Sequence, residues 1–323
     1  MKMNDKMINK RLRREFRTPG WLLVAYFVLM NVMVMVEVFI ETMKQTMELM
    51  AAGDYFATPD MEAIMSNAWG YIWAVGIAML FLFSWKDGTF WKGKVFNKRG
   101  KMGFGTFLVL LCVCMAIQFI NSFWVSGLEW FMNLFDKSIM ETLESVSGSS
   151  DTFSMFLYAS IVAPITEELI FRGYIQGALS RYGKKFSIIC SALLFGIFHG
   201  NLVQTPYAFL AGLLLGYVAA EYHIGWSVAI HMFNNLVLAD LLTRATSGLY
   251  VEIADAIHMI LFGVATLVTG IVLIVKRKAI RNYLQGEWMD RRCLKWFFLN
   301  SGTIVLLLLM AANSLLLLVV SNM

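Results

Sequence analysis

Apolar runs of about 20 residues recur along the chain and contain few charged residues. A run of this length, folded as an α-helix, matches the hydrocarbon core of a bilayer. Backbone polar groups in lipid must be hydrogen-bonded within the protein, and repeated long runs satisfy this as helices. Only 15% of the 323 residues are charged, whereas soluble domains carry about a quarter. The predicted fold is therefore all-α, a polytopic transmembrane helix bundle of about eight or nine spans.

The predicted spans follow one another with short connections. We predict nine, of which those between residues 186 and 243 are the shortest. They are 21–41, 66–85, 103–127, 154–180, 186–202, 206–222, 226–243, 256–275 and 296–320. The repeated alternation of apolar runs and polar connections predicts an integral membrane protein.

The positions of lysine and arginine predict which side of the membrane each loop occupies, because cytoplasmic loops are enriched in both. Of the 27 such residues, 23 lie in four segments: 1–17, 86–101, 181–185 and 276–295. The connections 42–65 and 128–152 are acidic instead. The N-terminus is therefore predicted to be cytoplasmic, and an odd number of spans would put the C-terminus outside.

The first residues, MKMNDKMINKRLRREFR, look superficially like the start of a signal sequence. The apolar run that follows is too long for a signal peptide and no A-x-A cleavage site follows it, so we interpret it as an uncleaved signal anchor. We divide the chain into a basic cytoplasmic N-terminal segment at 1–20 and a single integral membrane domain at 21–323. The part that we expect to carry the chemistry is about 154–243.

Cysteine content and net charge exclude several classes of protein. The four cysteines show no paired spacing and no CxxC, so neither a disulfide framework nor a cysteine metal site is expected. The net charge of +5 is accounted for by the cytoplasmic loops, with attraction to anionic membrane lipids as a further consequence. No nucleic-acid partner is predicted.

The sixth predicted span has small residues at every fourth position, which are Ala208, Gly212, Gly216 and Ala220. Such a face lets a neighbouring backbone approach closely. We favour tight packing inside the bundle over a dimer contact, and the sequence selects no oligomeric state.

Ionisable side chains within three predicted spans are the exception to this apolar pattern. The fourth span contains Glu167, Glu168 and Arg172, the fifth ends with His199, and the seventh contains His231, Asn234 and Asn235. Each ionisable group in a span costs about 2.5–3.5 kcal/mol on insertion scales. We therefore predict a functional site here, although a purely structural pairing of Glu168 with Arg172 is the alternative. Glu37 and Glu41, near the outer end of the first span, receive no role.

Helical geometry relates these residues to one another. Glu168 and Arg172 are four apart and share a face, so an ion pair is expected, whereas Glu167 lies about 100° away around the axis. A turn near Gly183–Lys184 is equidistant in sequence from Glu168 and His199, which places both at one depth. Pro164 removes a backbone hydrogen bond and should loosen the helix just before the two glutamates.

Three motifs occur in order on these spans. Residues Glu167–Arg172 read EELIFR (EExxxR), residues Phe195–His199 read FGIFH (FxxxH), and residues His231–Asn235 read HMFNN (HxxxN). Together, over residues 155–240, they resemble the CAAX-protease and bacteriocin-processing family (CPBP or Abi), Rce1-like intramembrane glutamate proteases.

The resemblance implies a membrane-embedded catalytic cavity and assigns roles. Glu167 and His199 would activate the attacking water, while His231 and Asn235 would stabilise the oxyanion. Glu168 and Arg172 would orient the helix of the first glutamate. The substrate would be a membrane-associated peptide or protein of the CAAX or bacteriocin-leader type, in the cell membrane of a bacterium.

Three alternatives to a metal-free protease are a zinc enzyme, a transporter and a non-catalytic membrane partner. Two glutamates and two histidines form a conceivable zinc set, but HExxH is absent and the adjacent glutamates diverge, so we favour no cofactor and no metal ligand. A transporter also uses buried carboxylates, although no inverted repeat is evident. A non-catalytic membrane immunity or signalling partner would not need the glutamate–histidine arrangement.

Overall fold

The computed structural model describes residues 5–97, 100–147, 152–285, 291–320 and 322, without the side chains of 144–147 and 291. The described residues form helices and no strand. The longer helices are α1 (Asp5–Ala51), α2 (Trp69–Trp85), α3 (Phe104–Asn133), α4 (Phe153–Tyr182), α5 (Lys184–Phe198), α6 (Thr205–Glu221), α7 (224–246), α8 (Val251–Val275) and α9 (Ser301–Val320). Shorter ones are Met61–Met65, Gly88–Phe90, Trp91–Val95, Met140–Ser147, Arg277–Gln285 and Arg291–Phe298. Of the predicted loops and termini, residues 1–4, 98–99, 148–151, 286–290, 321 and 323 lie outside the described residues.

Each of the nine predicted spans coincides with one of these longer helices, which confirms an all-helical membrane protein. Within the described residues, six helices are long and apolar enough to cross a membrane: Asp5–Ala51, Met61–Trp85, Phe104–Asn133, Phe153–Tyr182, Val251–Val275 and Ser301–Val320. Helices α5 and α6 have 15 and 17 residues. At about 1.5 Å per residue they are shorter than the bilayer core of about 30 Å. The predicted count of eight or nine spans is therefore approximate.

Helix α1 contacts both α2 and α9. It has 47 residues and continues without a break through residue 20, with Pro19 inside it. Gly20 of α1 and Gly302 of α9 cross so closely that a Cβ atom on either would come closer than 3.0 Å to the other backbone. Glycine is required at this crossing because any larger side chain would separate the two helices.

Helices α4, α5, α6 and α7 pack against one another in the interior of the bundle. The small-residue face of α6 meets α5 and α4: a Cβ on Gly212 would lie 3.0 Å from the backbone of Ala192, and one on Gly216 would lie 2.9 Å from Oε1 of Gln176. Ala208 and Ala220, at the two ends of the face, are buried. The prediction of tight packing within the bundle is thus confirmed.

The hairpin between α4 and α5 turns at Gly183, as the sequence predicts. Its φ of 125° lies in the region that glycine adopts without strain. Helix α4 ends at Tyr182 and α5 begins at Lys184, so the two helices run antiparallel through the interior. This arrangement brings the C-terminal end of α5 back towards the middle of α4.

Helices α4 and α7 are interrupted by π-helical segments. In α4 these are Tyr158–Val162 and Leu169–Ile175, and in α7 the segment is Phe233–Leu241. Pro164 is the second residue of the α-helical stretch that follows the first of them, where its missing N–H is consistent with the predicted loosening of the helix. One α-helical stretch, Ala163–Glu168, lies between the two π segments of α4 and carries both glutamates. Such π turns occur frequently at functional sites.

Candidate active site

Glu168 is the most completely enclosed acidic side chain of the site, with 0% exposure. Its Oε1 lies 2.9 Å from Nη1 of Arg172 and 3.0 Å from Nδ1 of His231. Its Oε2 accepts a hydrogen bond from Ser227. The predicted ion pair with Arg172 is therefore present, and the same carboxylate also joins α4 to α7. A buried charge needs this number of partners to offset its lost hydration.

Arg172 is also fully enclosed, and its surroundings are shaped around the guanidinium. The Cζ atom lies 4.1 Å from the centroid of the Phe195 ring, a cation–π contact. On another side, a Cβ on Gly212 would lie 3.2 Å from Nη2, so this glycine leaves space for the guanidinium. Three helices thus fix Arg172, and through it they fix Glu168.

His231 lies between the two glutamates. Its Nδ1 is 3.0 Å from Oε1 of Glu168, and its Nε2 is 3.8 Å from Oε2 of Glu167. Because an ionised carboxylate only accepts hydrogen bonds, Nδ1 carries the proton that binds Glu168. Glu168 therefore sets the tautomer and orientation of this imidazole, as the carboxylate does in carboxylate–histidine pairs.

Glu167 differs from its neighbour in exposure. Its side chain is 20% exposed, against 0% for Glu168. His199, Tyr26 and Tyr158 are close enough to the Glu167 carboxylate for an electrostatic interaction. The two glutamates do diverge around the helix, as the 100° rotation predicts. Glu167 is thus the carboxylate of the pair that keeps part of its surface accessible.

His199 stands at the C-terminal end of α5, directly after its last helical residue. Its Nδ1 lies 2.8 Å from the carbonyl oxygen of Phe195. A carbonyl oxygen accepts only, so Nδ1 carries the hydrogen and Nε2 of the neutral ring carries the lone pair. The Phe195 ring packs edge-on against both imidazoles, with centroid distances of 4.8 Å to His199 and 5.8 Å to His231.

The two asparagines of α7 have different surroundings. Asn235 donates from its Nδ2 to the carbonyl oxygen of Ala159, at 2.9 Å, and accepts from Asn234 at 3.0 Å. Asn234 is buried, and its Oδ1 accepts from Tyr207 at 2.5 Å and from Gln118. Asn234 therefore fixes the amide of Asn235, which lies beside the first π segment of α4.

Several site residues were not identified by the sequence. Ser227 precedes His231 by four residues, so helical spacing could have placed it on the same face as His231. Tyr207 and Gln118 lie on other helices, and no local sequence pattern predicts their contacts with Asn234. Phe195 is the first residue of the FxxxH motif, and the motif by itself indicates no role for its ring. Glu37 accepts hydrogen bonds from the backbone N–H groups of Trp69 and Gly70, so it caps the N-terminus of α2.

The four candidate zinc ligands do not form a common donor set. Glu168 is occupied by Arg172 and Ser227, and His231 directs its Nδ1 to Glu168. Among the described residues, no three histidine, cysteine, aspartate or glutamate side chains are arranged to hold a metal ion. The four cysteines are free thiols.

The fold is that of an all-helical integral membrane protein. Its site consists of carboxylates and imidazoles in contact among buried helices. Residues 149–237 match a family model described as Rce1-like, type II CAAX prenyl endopeptidase Rce1-like. The match spans α4, α5, α6 and the first part of α7, and it is consistent with the CAAX-protease and bacteriocin-processing family. The resemblance drawn from the three motifs is confirmed. No curated protein and no solved structure matches the chain.

Proposed function

We propose that this protein is an intramembrane endopeptidase that hydrolyses a peptide bond of a membrane-associated substrate. The observation that carries the proposal is the different surroundings of two adjacent glutamates. Glu168 is saturated by Arg172, Ser227 and His231, while Glu167 is accessible and 3.8 Å from the His231 imidazole. A site that only satisfied its own charges would have no need of a second, accessible carboxylate.

In the proposed reaction, Glu167 acts as the general base together with His199. A polar contact longer than about 3.5 Å suits a bridging water, and the separation between Glu167 and His231 exceeds that. Glu167 takes a proton from water as the oxygen attacks the peptide carbonyl carbon, and the carbonyl becomes a tetrahedral oxyanion. When the C–N bond breaks, the proton passes to the leaving amine through the imidazole of His199.

The oxyanion is stabilised by donors from α7 in this proposal. Asn235 supplies an N–H of its amide, which Asn234 holds in place, and His231 donates from Nε2 as an imidazolium whose Nδ1–H stays bound to Glu168. Fixed donors act without reorganisation at the moment of reaction, and loss of one costs about 10²–10³ in rate. Glu168 and Arg172 are positioning residues, since they act through His231 and through the helix that carries Glu167.

The experiment compares membranes of cells that produce the parent protein, Glu167→Gln, His199→Ala, or the matched controls Glu252→Gln and His258→Ala on α8. Helix α8 packs mainly against α3. We expect a membrane peptide that is shortened in the parent and both controls and full-length in the two site variants. In detergent, the purified Glu167→Gln protein should cleave that peptide about 10²–10⁴ times more slowly. Cleavage at the parental rate in both site variants would contradict the proposal.

The substrate class is proposed from the family match alone, as a CAAX-type protein or a bacteriocin-leader-type peptide, in a bacterial cell membrane. The metal-free mechanism is likewise a proposal, supported by the engagement of Glu168. Zinc would be measured in chelator-treated protein alongside the cleavage rate. Full activity without zinc is expected, whereas a parallel loss of stoichiometric zinc and activity would overturn the metal-free mechanism.

A further inference from the structure

A cavity of about 180 Å³ lies at the end of the bundle where the basic connections are, between α4, α5, α6 and the segment Trp91–Val95. Its polar lining consists of Lys94, Arg172, Gln176, Ser180, Lys184 and Ser187. Three of these six are cations, and none of the described residues that line it is an aspartate or glutamate. Glu221, beside the cavity, pairs with Lys184 at 2.8 Å. Glu168 pairs with Arg172 at 2.9 Å, so Lys94 is the cation that leaves the wall with a net positive charge.

Two buried side chains in the wall have hydrogen-bonding groups that the described residues leave unsatisfied. Arg172 is 0% exposed, and its Nε and Nη2 have no hydrogen-bond partner there. Gln176 donates to the carbonyl oxygen of Gly216 at 2.9 Å, but its Oε1 has no donor. Buried polar groups are nearly always satisfied. A ligand with both acceptor oxygens and a hydroxyl would satisfy Arg172 and Gln176.

The backbone at this end adds to the positive potential. Helix α5, of 15 residues, begins at Lys184, and its N-cap residue Gly183 supplies no side-chain cap. The N–H groups in the first turn of a helix attract anions. Lys94 is exposed, so the cavity extends from the surface to the buried guanidinium of Arg172.

We propose that this cavity binds the phosphate group of an anionic phospholipid headgroup. Basic pockets between membrane helices bind such headgroups on the side that carries the lysine-rich loops. The phosphate oxygens accept from Arg172, Lys94 and Lys184, and a headgroup hydroxyl donates to Gln176. Bound lipid thereby satisfies guanidinium nitrogens of Arg172 that Glu168 does not bind. The inference is independent of proteolysis, because binding is measured without substrate.

The test uses the full chain, purified in a neutral detergent and titrated separately with phosphatidylglycerol, phosphatidylcholine and inorganic phosphate. The site variant is Lys94→Gln/Lys184→Gln. The control is Lys92→Gln/Lys185→Gln, which removes the same charge from neighbouring positions outside the cavity. We expect phosphatidylglycerol to bind the site variant about thirtyfold more weakly than the parent, since each cation contributes about fivefold. The control should bind as the parent does.

Equal affinities in the two double variants would overturn the cavity as the site. Equal binding of phosphatidylcholine, or binding of inorganic phosphate as tight as that of phosphatidylglycerol, would overturn the anionic lipid as its ligand. Lys94→Gln alone, at an exposed position, replaces the double variant if the latter does not fold. For this single variant a loss of about fivefold is expected, and an unchanged affinity would contradict the proposal.

Discussion

At the scale of single residues, enclosure separates side chains that the sequence presents as equivalent. Glu167 and Glu168 are adjacent and identical in type, yet one is 20% exposed and the other is held on all sides. The fully enclosed carboxylate orients His231 and neutralises Arg172. The accessible one is the carboxylate that we propose acts on water. The chemistry of the site therefore follows from what surrounds each group.

The first prediction concerns the stability supplied by Glu168. Glu168→Gln should lower the free energy of unfolding by about 3–5 kcal/mol, because it leaves Arg172 as an uncompensated buried charge. The measurement is thermal or denaturant unfolding of the purified protein in detergent. Glu41→Gln, which breaks the exposed pair with Lys44, is the control and should change the free energy by less than about 1 kcal/mol. An unchanged stability for Glu168→Gln would show that the ion pair is dispensable.

The second prediction concerns Phe195, whose ring contacts Arg172 and both imidazoles. Phe195→Leu removes the surface that orients these groups, and a displacement of about 1 Å can cost up to about 10²-fold in rate. We expect kcat for peptide cleavage to fall about tenfold or more, with the protein still folded. Phe123→Leu, at a position that is 65% exposed, is the matched control. Parental kcat in Phe195→Leu would exclude a positioning role.

At the scale of helices, departures from α-helical geometry lie where the polar residues are. Both π segments of α4 adjoin the stretch Ala163–Glu168, and a third begins within the HxxxN motif of α7. A π turn changes which residues share a helix face. His231 contacts the glutamates, while Asn235 reaches the backbone of Ala159 instead. The motif spacing alone therefore does not give the directions of its two polar ends.

The third prediction tests the close packing of α6 on α5 and α4. Gly212→Ala places a Cβ 3.0 Å from the backbone of Ala192 and 3.2 Å from Nη2 of Arg172, so the helices must separate. Overpacking of this kind costs about 1–3 kcal/mol, measured by unfolding in detergent. Gly263→Ala on α8 meets nothing within 4 Å and should be neutral or stabilising by up to about 1 kcal/mol. Equal stability of the two variants would contradict the packing.

At the scale of the whole molecule, the helices arrange charge along the membrane normal. The basic connections, including the α4–α5 hairpin and the segment Trp91–Val95, border the cavity with Lys94 and Lys184. The connection between α1 and α2 is acidic. It lies at the opposite end of α2 from the segment Trp91–Val95. This separation predicts a fixed orientation, with the basic end in the cytoplasm.

The fourth prediction tests this orientation with a membrane-impermeant thiol reagent. Lys92→Cys should be labelled only after the inner face is made accessible, whereas Phe56→Cys, at a position that is 98% exposed, should be labelled in intact cells. The native cysteines contribute little background, because three are buried and the fourth is half-buried. Permeabilised cells, in which both sites should react, are the control. Labelling of Lys92→Cys in intact cells would reverse the predicted topology.

The sequence by itself determined the helices, their order and several local relations. Apolar runs of spanning length predict the helix positions, because the bilayer sets a length that local composition must match. The pair Glu168–Arg172 follows from a spacing of four residues within one helix. The turn at Gly183 follows from the freedom of glycine to adopt a positive φ. The three motifs sufficed for the resemblance to the family, since each is a short local pattern in the sequence.

Only the tertiary structure decided which side chains share the site. The contacts of Glu168 with Ser227 and His231, of Phe195 with Arg172, and of Asn234 with Tyr207 all join different helices. Such contacts depend on which faces meet and at what depth, and the π segments shift those faces without a signal in the apolar pattern. Periodicity along one helix carries no information about its rotation against the next. That rotation leaves Glu167 accessible and encloses Glu168.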